Sequence, residues 1–186
     1  MTDEKCGPEC LHAPWRMEYI ANAGKPGGCI FCDKPQEDRD RENGIIHRGE
    51  YNFIILNAYP YNNGHLMVVP YLHTHELADL PPATHQEMLH LAALAIEALR
   101  KVMCPDGFNL GVNLGRVAGA GIAEHLHLHV VPRWDGDTNF MLVVSNTRVL
   151  PEALDTTWGK LTAAFQAVLA GEKAREDECD LQQRPE

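Results

Sequence analysis

The sequence predicts an α+β domain built on a mainly antiparallel sheet, and three observations carry that expectation. Short runs rich in β-branched and aromatic residues lie close together, separated by turn signals, as in hairpins rather than βαβ crossovers. One long stretch, Pro82 to Met103, repeats its apolar residues with the period of a helix. The run His125-Leu126-His127-Leu128-His129-Val130-Val131-Pro132 alternates with a period of two, which as a strand sends its histidines to one face and its leucines to the other.

The elements follow in order. Residues 1–28, rich in Gly, Pro and Cys with an amphipathic piece from Trp15 to Ile20, are expected to form an arm packed on the domain. Cys6, Cys10 and His12 within it are too loosely spaced to argue for a metal site. Gln36 to Asn43 is charged and expected as a solvated loop. Ile45-Ile46-His47-Arg48 and Tyr51 to Asn57 then make a hairpin around Gly49-Glu50. The turn-rich Tyr59 to Gly64 leads into a short buried strand, His65 to Pro70. In the long helix, Met88, Leu91, Ala92, Ala95, Ile96 and Leu99 form one stripe, with Pro81-Pro82 at its start and Pro105 and Gly107 beyond its end. His85 and His90 on this helix, and His47, are expected at the surface or along helix edges. Phe108 to Leu114 is a strand, and Gly115 to Gly121 a glycine-rich link to the histidine strand. Leu154 to Leu169 is a second helix with Gly171 as its cap. Neither repeats nor a linker divide the chain. The expected organisation is an arm (1–28), one domain (29–145), a C-terminal helix region (146–170) and a charged disordered tail (171–186).

Composition narrows the function. A net charge of -10 argues against broad nucleic-acid binding, which needs a basic surface. A small anionic substrate remains compatible, because a local patch from Arg48, Arg116 or Arg133 would suffice, with Trp134 beside it. No apolar run approaches a membrane span and the N-terminus lacks the apolar core of a secretory signal, so the cytoplasm is the expected compartment. Two of the six cysteines form Cys29-Ile-Phe-Cys32, the spacing of half a metal site or a redox pair. A row of imidazoles can attack, relay protons or bind metal near neutral pH.

The run His-apolar-His-apolar-His-apolar-apolar at residues 125–131 resembles the signature of the histidine triad (HIT) family of nucleotide-binding enzymes. Further pieces stand in that family's order: Cys29-Ile-Phe-Cys32, Leu56-Asn57, Gly64-His65 to Pro70, and Asn109 to Gly115. The resemblance covers roughly residues 28–145, and Trp15 to Ile20 together with Phe108 to Phe140 look like the longer bacterial members related to diadenosine tetraphosphate phosphorylases. It implies a HIT-like fold, a five-stranded antiparallel sheet with two main helices, dimerised into a continuous sheet. It also implies cleavage of a dinucleoside polyphosphate through a covalent nucleotidyl-His127 intermediate, with water or inorganic phosphate as acceptor. His129 would contact the reacting phosphate and aid the leaving oxygen, His65 would orient the cluster, and Asn57 would contact the ribose. Asn113 and the Gly119-Ala120-Gly121 backbone could donate to phosphate oxygens. Gly119-Ala120-Gly121 lacks the hydroxyl of the Gly-Gly-Ser-like loop common in that subgroup.

Cys29 and Cys32 have the spacing of a zinc knuckle. In zinc-bearing members of the family the remaining ligands resemble His73 and His125, giving a closed Cys₂His₂ site for a structural Zn²⁺; His75 competes with His73. Three other readings stand beside the leading one: a nucleoside phosphoramidate hydrolase, a zinc hydrolase whose three triad histidines hold an open metal site, and a nucleotide sensor without turnover.

Overall fold

The computed structural model describes residues 28–138 and 150–182. The arm up to residue 27, residues 139–149 and residues 183–186 lie outside them, and with them the expectations for Cys6, Cys10, His12 and Trp15 to Ile20. A four-residue helix α1 (Ile30–Asp33), a 3₁₀ turn (Lys34–Gln36) and a second short helix α2 (Asp40–Asn43) open the described chain. There follow β1 (Ile45–Arg48), β2 (Asn52–Leu56), β3 (Leu66–Pro70), α3 (Pro82–Met103), β4 (Gly107–Val112), β5 (Leu128–Arg133) and α4 (Leu154–Gln182). The five strands form one antiparallel sheet in the order β1-β2-β3-β5-β4.

Strand alternation gives this sheet two different faces. Ile54, Leu56, Leu66, Val68, Leu128 and Val130 point to one side, where Met88, Leu91, Ala95 and Leu99 of α3 and Leu161, Phe165 and Val168 of α4 bury them. Leu94 and Ala98 join the buried side of α3, so its stripe is broader than the sequence suggested, and Ile96 sits at its edge. On the opposite face Phe53, Ile55, Met67 and Val69 are covered by Phe31 of α1. Met67 stands opposite Ile55 on β2 and His129 on β5, which carries this second face out to the triad.

Two ties hold the helices and turns to the sheet. Trp158 of α4 donates its Nε1–H to the Ile45 carbonyl (2.8 Å), and Arg41 lies over that indole while pairing with Asp155. Glu87 of α3 accepts the N–H groups of Glu50 and Tyr51 and the Asn52 amide at 2.6–2.8 Å, closing the β1–β2 turn.

Several expectations need correction. β5 begins at Leu128, so His125 and His127 precede the ladder: its last pairs are Val68 with Leu128 and Val112 with Leu128, and Leu126 N–H donates instead to the Thr74 carbonyl (2.7 Å). β4 ends at Val112, two residues early. Gly171 does not cap α4, which continues to Gln182. It has no positive φ, and the cost of about 1 kcal/mol for an interior glycine is offset by good helix formers after it and by the Glu172–His90 contact (3.3 Å). Helix therefore occupies most of the segment expected as a disordered tail. α3 ends where expected, closed by Cys104 in the left-handed region (φ 47°). His47 is half-buried, its ring 4.8 Å from Phe165. Arg48 is held by Asp40 and two carbonyls, while Arg133 pairs with Asp137 and Asn109, so neither supplies a free anion patch. Trp134 donates to the Met103 carbonyl, away from the histidines. No helix among the described residues is long and apolar enough to cross a membrane.

Candidate active site and metal cluster

The side chains that face away from α3 and α4 around β5 form two adjoining constellations. The first is a row of imidazoles whose protons can be placed from their partners. The backbone N–H of Tyr61 donates to Nδ1 of His65 (3.0 Å), so the proton of neutral His65 sits on Nε2. That Nε2–H meets Nδ1 of His129 at 2.9 Å, in a fully buried contact. His129 therefore accepts at Nδ1 and carries its own proton on Nε2, where the Asn113 amide lies 3.4 Å away. For a side-chain amide, oxygen and nitrogen are assigned from such partners, and an Nε2–H calls for the Asn113 oxygen.

His127 has the opposite tautomer. Its Nδ1 lies 2.9 Å from the His125 carbonyl, an acceptor, so Nδ1 holds the proton and Nε2 keeps a bare lone pair. Burial lowers the His127 pKa below the ordinary imidazole value, favouring the neutral form. The His127 and His129 rings lie 4.8 Å apart at 76°, so neighbouring rings carry opposite protonation at Nε2. Both line an open cleft of about 700 Å³, mouth included.

The cleft walls are mostly apolar. Ile30, Phe31, Ile55, Leu56, Ala58 and Met67 supply them, with Asn57, Tyr59, Tyr61, Lys34 and Gly121 completing the lining. Asn57 accepts the Tyr59 N–H (2.9 Å) and its amide also lies 3.4 Å from His65, so it serves its own turn while facing the cleft. His65 sits behind His129 and outside the cleft lining, so it can act only through its neighbour. Of the glycine-rich loop, Gly121 reaches the cleft. Gly119 ends a 3₁₀ turn at φ 94°, and the Ala120 N–H is already engaged by the Gly115 carbonyl (3.3 Å).

The second constellation joins Cys29, Cys32, His73 and His125, whose ligand atoms all lie within 4.8 Å of one another. His125 donates Nε2–H to the Pro70 carbonyl (2.8 Å), leaving Nδ1 bare and turned toward the sulfurs. Nδ1 of His125 is 3.2 Å from Cys29 Sγ, 3.5 Å from Cys32 Sγ and 3.2 Å from Nδ1 of His73. A tetrahedral zinc sets such atoms about 3.3–3.8 Å apart, given Zn–N near 2.0 Å and Zn–S near 2.3 Å, so the donor set fits the ion. Burial, and next the adjacent Cys29 thiol, push Cys32 up to about 11. A dication is what would make two neighbouring thiolates stable here. His75 turns away to Glu76.

Sequence reasoning missed Phe31, Lys34, Tyr59 and Tyr61. Phe31 was in view only as a spacer between two cysteines, yet it packs on His125 and His127 (centroids 5.5 and 5.2 Å). Lys34, tethered to the Asn43 carbonyl (3.0 Å), is the one Lys or Arg in the lining among the described residues.

The chain is similar to known proteins. The HIT domain model matches residues 39–136. An AP-4-A phosphorylase of Mycobacterium tuberculosis is 42% identical over 155 residues, covering 79% of each chain. Among solved structures, a hypothetical histidine triad nucleotide-binding protein from Sulfolobus tokodaii superposes with a TM-score of 0.61 at 25% identity, over 75% of this chain and 93% of its own. A Zn-bound histidine triad family protein from Mycobacterium smegmatis gives a TM-score of 0.57 at 28% identity, over 84% and 99%.

Proposed function

Because the chain belongs to the HIT domain family, we propose that it cleaves a dinucleoside polyphosphate of the diadenosine tetraphosphate kind through a nucleotidyl-His127 intermediate. The observation that carries this reading is the opposite tautomers of the two cleft histidines. Nε2 of His127 attacks the α-phosphorus, and the bond from that phosphorus to its bridging oxygen breaks. The leaving oxygen takes the proton from Nε2 of His129, and ATP departs from diadenosine tetraphosphate. An acceptor oxygen then displaces the nucleotide and returns a proton. With inorganic phosphate as acceptor the products are ADP and ATP; with water they are AMP and ATP. The relative named a phosphorylase supports phosphate. Apolar walls at Ile30, Phe31, Ile55 and Leu56 suit the base, Asn57 the ribose, and Asn113 and Gly121 the phosphate oxygens.

The four-ligand cluster holds a structural Zn²⁺ in this reading, through Cys29, Cys32, His73 and His125. It supplies no chemistry to the reaction beyond fixing the chain before β5. A zinc hydrolase using the triad is disfavoured, because His129 holds its proton on Nε2 and His125 turns its bare Nδ1 toward the thiols, which leaves Nε2 of His127 alone as a ligand atom. The outer edge of β4, with Leu110 exposed, suits a homodimer with a continuous sheet. The protein acts in the cytoplasm, with no nucleic acid or membrane as partner.

Incubation with diadenosine tetraphosphate, with and without phosphate, tests the reaction. ADP plus ATP only with phosphate is expected. His127→Ala should lower turnover by about 10³-fold or more, and a fully active variant overturns the covalent route. Phosphoramidate cleavage without dinucleotide cleavage would favour the first alternative, and AMP binding without turnover or adduct would favour a sensor.

A further inference from the structure

One four-residue helix serves both constellations. The ends of the Cys29–Cys32 turn contribute two thiols to the metal cluster, while Ile30 and Phe31 between them wall the cleft. Phe31 is buried, edge-on to the ligand His125 at 75° and tilted against the nucleophile candidate His127 at 50°. So short a helix cannot hold its own shape, since one turn fixes several residues for one or two hydrogen bonds. Its own backbone ties include the N–H groups of Cys32 and Asp33 on the Cys29 carbonyl, both 2.8 Å, and the Lys34 N–H on the Ile30 carbonyl. Its position depends on what grips its ends and on what packs against its middle.

We propose that Phe31 is a positioning residue through which zinc at Cys29, Cys32, His73 and His125 and nucleotide in the cleft are coupled, each tightening the other. The proposal rests on the nucleotide reading above and deepens it. With the ion in place both ends of α1 are fixed, so an arriving base meets a formed wall and bears less ordering cost. A base packed on Ile30 and Phe31 in turn holds the thiols in ligating geometry. Thermodynamic linkage makes the two effects equal.

The test is zinc affinity of the full chain, measured by competition with a chromogenic chelator, with and without saturating AMP. Couplings between sites commonly amount to about 5–150-fold, so AMP is expected to tighten zinc at least about 5-fold. Phe31→Ala should weaken zinc somewhat without AMP, since the helix loses the packing on its middle, and bring that ratio within about twofold of one. If that variant does not fold, Phe31→Leu should at least halve the ratio. A metal linked to the nucleotide only through overall folding would leave the ratio intact in these variants, and that result overturns the proposal. So does a wild-type ratio of one. If AMP does not bind the zinc-loaded chain, the nucleotide reading itself fails; AMP binding with unchanged zinc affinity removes the coupling alone.

Discussion

Replacing His65 by leucine separates the proton arrangement from the mere presence of His129. His65 is wholly buried and, besides the Asn57 amide 3.4 Å from its Nδ1, accepts from Tyr61 N–H at 3.0 Å and donates to His129 Nδ1 at 2.9 Å. Leucine keeps the volume and removes both. Each buried group left without a partner costs about 1–3 kcal/mol. The Tyr61 N–H loss falls on stability, and for a chain of this size 1 kcal/mol is about 2–4 °C, so Tm should drop by about 2–12 °C. The His129 loss falls on chemistry. With Nδ1 unfilled, the proton of His129 no longer has to sit on Nε2, and a bias of about 1–3 kcal/mol toward the donor tautomer disappears. At 1.36 kcal/mol per tenfold that is about a 5- to 150-fold fall in kcat/KM. Steady-state kinetics on diadenosine tetraphosphate give the rate, and ¹⁵N shifts of the His129 ring report which nitrogen holds the proton. Activity within twofold of the native chain, with the His129 proton still on Nε2, would refute the reasoning.

The remaining expectations concern protonation, metal and scaffold. Burial holds the His127 pKa below its ordinary value, so its neutral, attacking form persists as pH falls through 6.5; the acid limb of kcat/KM should have its midpoint below that pH, and a midpoint at or above it contradicts the assignment. Metal analysis should find one zinc per chain, lost in His73→Ala and kept in His75→Ala, and its removal should lower Tm by about 10 °C or more. Glu87→Ala unties the β1–β2 turn from α3. Loss of charge-assisted bonds worth about 1.5–3 kcal/mol should lower Tm by about 3–12 °C while kcat/KM stays within twofold, since the turn lies outside the cleft.

What could be read from the sequence was local and periodic. The alternation of His127 and His129 with Leu126 and Leu128 assigned faces correctly because strand geometry has a period of two, and the pair at Cys29 and Cys32 announced itself by spacing. The choice between His73 and His75 was not legible, because it depends on how the chain turns after Pro70. Phe31 and Tyr61 were missed for a related reason: each earns its place by contact with residues some 100 or 70 positions away, about which spacing says nothing. Gly171 misled because a glycine suits a cap and also fits a helix interior, and only the contact between Glu172 and His90 decides. The early start assigned to β5 overlooked that a strand needs neighbours. His125 and His127 have the alternation but no ladder partner: pairing stops at Val68 with Leu128 on one side and at Val112 with Leu128 on the other.

That alternation also determines which kinds of genetic change the site can survive. Leu126, Leu128 and Val130 belong to the core shared with α3 and α4, while His127 and His129 face the cleft. Substitutions here are graded, because each alters one side chain. A one-residue insertion or deletion between His125 and Val130 is not, since it would invert every later side chain and turn imidazoles into the core and leucines into the cleft. The segment should therefore tolerate length change in steps of two or not at all, whereas the Gly115–Gly121 loop just before it carries no such parity.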